Sequence, residues 1–184
     1  RAIRSAVFNS SSLSDMTICQ LYTPRQIQEA VQKTARSIEA AFGGTEPVIA
    51  LCLLNGAIWF TADLLRCLPP HFELQTLRVS SYEGTDSTGK LHWHGALPEC
   101  AGKRVLVIDD VLDTGCTMKE VCEQLLAKGA AKVASVVAVN KIGRRRVEYE
   151  ADFAALECED LFLVGYGLDY NGKYRNLPFI GYIE

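Results

Sequence analysis

The sequence predicts an α/β fold in three layers, in which a mostly parallel central sheet lies between two layers of helices. Continuous apolar runs at 47–54, 105–108 and 132–140 are typical of parallel strands that are covered on both faces. Segments with helical periodicity alternate with these runs, which is the pattern of βαβ units. The 184 residues are enough to bury one substantial core, so we expect a single domain over 1–184.

The charge and the cysteine content exclude several classes of protein. A formal net charge of -3 gives no electrostatic basis for binding nucleic acid or a membrane surface. The seven cysteines are odd in number and lack CxxC spacing, which favours reduced thiols over a disulfide framework. No apolar stretch approaches the ~20 residues of a membrane-spanning helix, and the first residues lack a signal-peptide core. We therefore expect a cytoplasmic protein without a nucleic-acid or membrane partner.

The first part of the chain combines a polar lead with one well-defined helix. Residues 1–22 are rich in serine and show little periodicity, so we expect a mobile or loosely packed lead. Thr23 and Gln26 have the spacing of a capping box, and Pro24 suits the first position of a helix. Apolar residues then recur on one face as far as Gly43, and this helix is predicted to be structural.

The apolar run at 47–54 is followed by a short turn that contains Asn55 and Gly56. A helix is predicted directly after it, over 58–68, where two prolines end the helical pattern. The turn then lies at the carboxyl end of a parallel strand, which is where ligands bind in open α/β sheets. An ordinary tight turn is the alternative interpretation.

A strand predicted over 72–81 leads into a polar, glycine-containing segment at 81–90. Because this segment has little apolar surface to bury, we expect it to be mobile, either as a plain hairpin loop or as a lid over a site. His92 and His94 follow it. Two histidines at i and i+2 without another ligand nearby are a weak signal for zinc, so we expect them on a strand that returns from the loop.

The segment 105–118, VLVIDDVLDTGCTM, carries the main functional signal of the chain. A buried strand leads into Asp109 and Asp110, and a helix is predicted over 118–128. The turn between them, at 113–117, would wrap the start of the helix, where backbone N–H groups and the positive end of the helix dipole bind phosphate. A solvated turn whose acids cap the helix is the alternative.

Several residues of this turn are suited to an anionic ligand. Gly115 allows the backbone to approach closely, and the hydroxyls of Thr114 and Thr117 add hydrogen-bond donors. Ionised Asp109 and Asp110 at the end of a buried strand are costly unless they are solvated, paired or bound to a metal or to sugar hydroxyls. The acid pair, a third acid and the threonines occur together, which favours ligand binding over a plain turn.

Three further strands are predicted at 132–140, 152–156 and 161–166. Lys141 stands at the carboxyl end of the first of them, and therefore at the same sheet edge as the acid pair. The basic run at 144–146 that follows is typical of a solvated loop.

The segment 105–118 resembles the binding motif for 5-phosphoribosyl 1-diphosphate in the type I phosphoribosyltransferases. The segment 162–171, FLVGYGLDYN, resembles the hypoxanthine-guanine branch of that family, and the likeness extends from about Leu51 to Arg175. It implies a Rossmann-like type I phosphoribosyltransferase fold with a core at about 45–160 and a small hood from the N- and C-terminal segments. The implied reaction is purine salvage, in which phosphoribosyl is transferred to N9 of hypoxanthine or guanine, giving IMP or GMP and diphosphate.

The resemblance also implies roles for individual residues. Asp113 is the expected general base or hydrogen-bond partner at purine N7. Lys141 would donate to the 6-oxo group, which penalises adenine, and Phe162 would stack on the purine. Ser81 and Tyr82 would form the base of a lid that excludes water.

The resemblance also implies which residues would bind each part of the ligands, and several residues belong to more than one group. The ribose and 5'-phosphate would be bound by Asp109, Asp110, Asp113, Thr114, Gly115, Cys116 and Thr117; the diphosphate by Leu54, Asn55, Gly56 and Arg175; the purine by Lys141, Phe162, Leu163 and Asp169; and Mg²⁺ by Asp109, Asp110 and Asp169. Relatives commonly form homodimers or homotetramers.

One residue departs from the pattern of the family. Asn55 stands where the family often has a lysine preceded by a cis peptide bond, and an amide supplies no positive charge to a phosphate. It is the one hint in the sequence of an alternative, a regulator of the same fold that binds nucleotides without catalysis. A second alternative is an enzyme that prefers xanthine, because Lys141 and Phe162 argue only against adenine.

Overall fold

The structure is a computed structural model that describes residues 17–81 and 91–184. Its elements are β1 (Ile18–Tyr22), α1 (Pro24–Phe42), β2 (Val48–Leu54), α2 (Ile58–Arg66), β3 (Phe72–Ser81), β4 (Leu91–His94), β5 (Arg104–Leu112), α3 (Cys116–Ala127), β6 (Lys132–Lys141), β7 (Phe153–Cys158), β8 (Leu163–Val164) and β9 (Ile180–Ile183). Six strands form one sheet in the order β4-β3-β2-β5-β6-β7. All neighbours in it are parallel except β4, which runs antiparallel to β3. The predicted mostly parallel central sheet is confirmed.

Alternate side chains of the central strands enter two separate cores, one on each face of this sheet. Leu106 and Ile108 of β5 pack with α1 and α2 on one face. Val105 and Val107 pack with α3 on the other face. All four side chains are fully buried. The sheet therefore lies between two layers of helices, as expected for strands that are apolar on both faces.

Both ends of helix α1 are held by specific hydrogen bonds. The side chain of Thr23 accepts a bond from Gln26 N at 3.2 Å, and the side chain of Gln26 accepts one from Thr23 N at 2.9 Å, which completes the predicted capping box. At the other end, Nη1 of Arg104 donates to the carbonyls of Phe42 and Gly43 at 2.7 and 3.0 Å. A cation at this position satisfies terminal carbonyls and opposes the helix dipole.

A second, smaller sheet has the order β1-β9-β8, and its neighbours are antiparallel. Residues 18–22 were expected in a loosely packed lead, but they form β1, which pairs Ile18 with Ile183. The prediction of a loosely packed segment was wrong for these residues, because the strand that pairs with them lies at the far end of the chain and leaves no local signal. The strand predicted at 161–166 is confined to Leu163–Val164 and joins this sheet, because Gly165, at φ +90°, turns the chain.

Other predictions concern the edge of the central sheet and the ends of the chain. His92 and His94 lie on β4, the predicted return strand, and His94 Nε2 is 3.1 Å from Ser80 Oγ. The remainder of the expected polar lead, at 1–16, and the loop at 82–90 lie outside the described residues. Across 17–81 and 91–184, no helix combines the length and apolar character needed to cross a membrane.

Candidate active site

The candidate site lies at the carboxyl edge of the central sheet, where the turn after β2 contacts β5. A Cβ added at Gly56 would lie 1.6 Å from Oδ2 of Asp110. The turn after β8 also packs against Gly56, because a Cβ added at Gly167 would lie 2.0 Å from the Gly56 carbonyl oxygen. Three segments that are far apart in sequence therefore meet with room only for glycine at the two contacts.

The expected diphosphate turn retains its backbone features. The peptide bond between Leu54 and Asn55 is cis, as the resemblance implied. The carbonyl of Asn55 accepts a hydrogen bond from Ile58 N at 3.3 Å, so the turn leads directly into α2. Ser81 ends β3 and pairs with Leu91, whereas Tyr82 lies outside the described part of the chain.

The two acids expected to bind ribose lie within β5 and are held by their own backbone. Asp109 Oδ1 accepts from Asp110 N at 2.9 Å, and Asp110 Oδ1 accepts from Val111 N at 2.8 Å. Burial raises the pKa of Asp109 well above its ordinary value, and the neighbouring charge of Asp110 adds to the effect. Burial also raises the pKa of Asp110, although nearby Arg175 opposes this. Such a pair is stabilised by a cation or by hydroxyl donors.

The expected phosphate loop ends in helix α3, which begins at Cys116 rather than at Met118. Gly115 occupies the N-cap in the left-handed conformation, at φ +83°, and has no side chain that could cap the helix. Thr114 Oγ1 accepts from Cys116 N at 3.4 Å, and Thr117 lies in the first turn, which contains no acidic residue. The positive end of the helix dipole is therefore not opposed by an acid of its own first turn.

Asp113 and Lys141 lie together at the end of adjacent strands. Nζ of Lys141, whose residue is only 8% exposed, is 3.7 Å from Oδ2 of Asp113. Nε of Arg144 is 3.2 Å from Oδ1 of the same carboxylate, and Nη1 of Arg144 is 3.0 Å from Asp160 Oδ1. One carboxylate is thus shared between two cations in this state, so Asp113 keeps one cationic partner when the other leaves it.

The prediction that residues 144–146 form a solvated loop is confirmed for Arg144 and Arg146, whose side chains are exposed, and was wrong for Arg145, whose side chain is only 16% exposed. Arg144 bridges two carboxylates, and Arg145 donates to several backbone carbonyls around the site. The side chain of Arg146 is exposed and forms no hydrogen bond or ion pair within 17–81 and 91–184. No signal in a run of three arginines distinguishes them, because the carbonyls bound by Arg145 at Leu112 and Asp113 lie more than thirty residues away.

The segment expected to bind purine presents one exposed ring beside buried neighbours. Phe162 is 53% exposed, and its ring contacts that of Tyr170 edge-on, with centroids 5.6 Å apart. Leu163 is buried, and its backbone pairs with Tyr182 in the small sheet. An exposed aromatic ring directly before a paired strand is suited to stacking on a planar ligand.

Asp169 and Arg175 form an ion pair, with Arg175 Nη2 2.7 Å from Asp169 Oδ1. Nη1 of Arg175 also donates to the Gly167 carbonyl at 2.6 Å. In the described ranges, no three His, Cys, Asp or Glu side chains form a group that could hold a metal ion. Mg²⁺ usually takes one or two protein carboxylates together with substrate phosphates, so the partly buried pair of Asp109 and Asp110 fits a metal that arrives with a phosphorylated substrate.

Tyr166 connects the turn after β8 to helix α2. Its hydroxyl donates to Asp63 Oδ2 at 2.8 Å, and burial together with this bond raises the pKa of Tyr166. Arg66 Nη1 lies 2.7 Å from the other oxygen of Asp63. Neither Tyr166 nor Asp63 was a predicted site residue, because a hydrogen-bond partner 103 residues away leaves no local signal in the sequence.

We predict that Tyr166→Phe lowers the free energy of unfolding by about 1 kcal/mol, since a hydrogen bond to a half-exposed carboxylate is lost. Denaturant titration measures this change. Tyr174→Phe is the matched control, because the Tyr174 hydroxyl has no hydrogen-bond partner in the described part of the chain. Equal stability of the two variants would contradict the proposed connection to α2.

Comparison with known proteins gives a consistent result over most of the chain. The model of the phosphoribosyl transferase domain matches residues 18–171. The hypoxanthine-guanine phosphoribosyltransferase of Aquifex aeolicus (strain VF5) is 39% identical over 166 residues, which cover 89% of this chain and 93% of that protein. The enzyme of the same name from Streptococcus pneumoniae (strain ATCC BAA-255 / R6) is 35% identical over 161 residues, which cover 86% and 89%.

Solved structures agree with this similarity. The crystal structure of a hypoxanthine phosphoribosyltransferase from Staphylococcus aureus matches with a TM-score of 0.84 and 34% sequence identity, over 90% of each chain. A hypoxanthine-guanine phosphoribosyltransferase from Bacillus anthracis matches with a TM-score of 0.84 and 28% identity, over 92% of this chain and 100% of that one.

Proposed function

This chain belongs to the phosphoribosyl transferase domain family, and on that premise we propose that it is a hypoxanthine-guanine phosphoribosyltransferase of purine salvage. It transfers phosphoribosyl from 5-phosphoribosyl 1-diphosphate to N9 of hypoxanthine or guanine and releases diphosphate. The observation that carries the assignment is the 3.7 Å approach of Lys141 to Asp113. A 6-oxopurine has an acceptor at O6 beside N7, so one donor and one acceptor side by side match this edge.

Recognition of the base follows from these two side chains. Lys141 leaves Asp113 and donates to O6, while Asp113 takes the N7 position and assists loss of the purine proton. Arg144 remains beside Asp113 and balances its charge when Lys141 turns away. Phe162 stacks on the ring, and the Leu163 backbone reads its edge. Adenine is disfavoured because its 6-amino group would place a donor against the Lys141 ammonium.

The sugar is held by the phosphate loop and the acid pair. Backbone N–H groups at Thr114, Gly115, Cys116 and Thr117 bind the 5'-phosphate, where the helix dipole favours negative charge. Asp109 and Asp110 bind the ribose hydroxyls. As the bond at C1' breaks, the ribose becomes cationic, and the negative charge of these two partly buried acids stabilises it.

The leaving diphosphate is bound on the opposite side by backbone and arginine. Leu54, Asn55 and Gly56 supply backbone and amide contacts, and Arg175 supplies a planar fork suited to two oxygens. Arg175 donates to the Gly167 carbonyl, and this bond orients its guanidinium both before the ligand arrives and after the ion pair with Asp169 opens. This arrangement provides one cation near a turn in which Asn55 carries no charge.

Mg²⁺ is part of the proposal, and Asp109, Asp110 and Asp169 are the residues that would hold it. Bound there, the ion would neutralise charge on the diphosphate leaving group. The raised pKa values of the acid pair support this placement, because a nearby cation stabilises the ionised form of partly desolvated carboxylates. Asp169 is engaged with Arg175, so it contributes only as that ion pair opens.

Other parts of the proposal rest on the resemblance. The chain forms one domain, and the small sheet is its hood. The segment that begins with Ser81 and Tyr82 and ends at Lys90 is the lid that excludes water. We also propose that the protein forms a homodimer or homotetramer and that it is located in the cytoplasm.

Nucleotide formation with separate bases tests this function. We expect product from 5-phosphoribosyl 1-diphosphate with hypoxanthine and with guanine, none with adenine, and loss of activity when Mg²⁺ is chelated. Faster turnover of xanthine than of either base would assign the xanthine-preferring alternative. No product from any base, with nucleotide binding retained, would assign the regulator and make Asn55→Lys the first variant to examine.

A further inference from the structure

Arg145 contacts the backbone of both segments that carry the proposed purine-binding side chains. Its side chain is only 16% exposed. Nη1 donates to the carbonyls of Leu112 at 2.9 Å, Asp113 at 2.6 Å and Lys141 at 3.1 Å. A single guanidinium nitrogen therefore joins the end of β5 to the end of β6.

The rest of the guanidinium is also engaged, and this fixes its orientation. Nε donates to the Tyr149 carbonyl at 3.1 Å, and Nη2 donates to Asn140 Oδ1 and lies 3.3 Å from Glu150 Oε2. The aliphatic stem packs under the phosphate loop, because a Cβ added at Gly115 would lie 3.3 Å from Arg145 Cδ. Only arginine offers donors in several directions from one planar group.

The contact lies where the pairing between β5 and β6 ends, although Lys141 itself remains paired with Cys158 of β7. The register of β5 with β6 ends at the pair of Leu112 and Asn140, one residue before Asp113 and Lys141. Beyond it, the two segments are joined by the Arg145 bonds, by the 3.7 Å ion pair and by the bond from Arg146 N to the Thr114 carbonyl. The ion pair must open when Lys141 binds a purine, so it cannot set the spacing in the complex.

From these contacts we infer that Arg145 is a positioning residue that sets the separation of Asp113 and Lys141, and thereby the fit of the N7 and O6 edge of the base. This inference rests on the proposed function. Losing Arg145 allows the two side chains to shift relative to one another, and a shift of about 1 Å costs on the order of 10²-fold in catalysis.

The test compares Arg145→Lys and Arg145→Gln with Arg146→Gln as the matched control. Arg146 has the same charge and lies next in the chain, but its side chain is exposed. For each variant, kcat and the KM values for hypoxanthine and for 5-phosphoribosyl 1-diphosphate are measured, together with Tm. We expect both Arg145 variants to raise the hypoxanthine KM at least about tenfold and to lower kcat. Arg145→Lys keeps the stem and the charge but offers one nitrogen, so it should not restore the wild-type KM.

Each outcome decides the inference. A merely structural role lowers the active fraction and therefore kcat, but it leaves both KM values unchanged, and that result would overturn the positioning role. Wild-type constants in Arg145→Lys, the same KM increase in Arg146→Gln, or failure of both Arg145 variants to fold would also overturn it. An inactive wild type would overturn the proposed function and this inference with it. If the wild type is active but the expected change in KM is absent, only the inference about Arg145 is overturned.

Discussion

Asp113→Asn is expected to lower kcat by about 10²- to 10⁴-fold while the affinity for 5-phosphoribosyl 1-diphosphate stays within about threefold. An amide has almost the same shape as the carboxylate and still hydrogen-bonds, but it does not accept the purine proton. The phosphate loop is built from backbone groups of the following residues, so it does not depend on this side chain. Turnover and sugar-phosphate binding should therefore separate.

Asp113→Asn has a second expected effect, because two cations lie beside this carboxylate. Lys141 and Arg144 lie 3.7 and 3.2 Å from the carboxylate, and Asn leaves both cations without this partner. Arg144 keeps Asp160, but Lys141 becomes a poorly compensated and largely buried cation. We therefore expect weaker purine binding in addition to slower chemistry.

Single-turnover rates and equilibrium binding of the sugar phosphate measure these effects separately. Asp160→Asn is the control, because it removes the other partner of Arg144 and changes the charge equally, yet Asp160 is exposed. The control should retain nearly wild-type kcat. Equal losses of binding and turnover in Asp113→Asn would identify Asp113 as a sugar-phosphate anchor and exclude it as the base.

The fold could be predicted where burial alone determines the local pattern. β2 and β6 lie between two covered faces, so nearly every residue is apolar and the runs at 47–54 and 132–140 stand out. The small sheet lacks such a pattern because β1 and β9 are short and only partly buried. Its pairing joins Ile18 to Ile183, and a contact between opposite ends of the chain leaves no mark on either segment alone.

The residues of the candidate site likewise fall into those that the sequence predicted and those that only the structure identifies. Asp113 and Lys141 were expected at one edge because parallel strands place their carboxyl ends together, and the structure brings them within 3.7 Å. Arg145 and Tyr166 were not found as contributors because their importance lies in distant partners. A motif identifies residues that would contact a ligand, whereas the residues that hold those groups in place are apparent only from the packed structure.

Gly167→Ala is expected to lower the free energy of unfolding by at least about 3 kcal/mol. Gly167 has φ +101°, a backbone conformation that L side chains rarely adopt. The added Cβ would also lie 2.0 Å from the Gly56 carbonyl oxygen, and this neighbour is backbone that cannot rotate away. The turn must move off Gly56, and that shift displaces a residue expected to bind diphosphate.

Gly172→Ala separates the two causes, because Gly172 has φ +77° but no atom within 4 Å of an added Cβ. That control should cost only the conformational strain, about 1 to 2 kcal/mol. Denaturant titration of both variants then gives the steric contribution by difference. In the folded fraction of Gly167→Ala, the KM for 5-phosphoribosyl 1-diphosphate should rise, because Gly56 also contacts Asp110. If the two variants lose equal stability and both keep the wild-type KM, the turn after β8 relaxes freely and does not support the diphosphate turn.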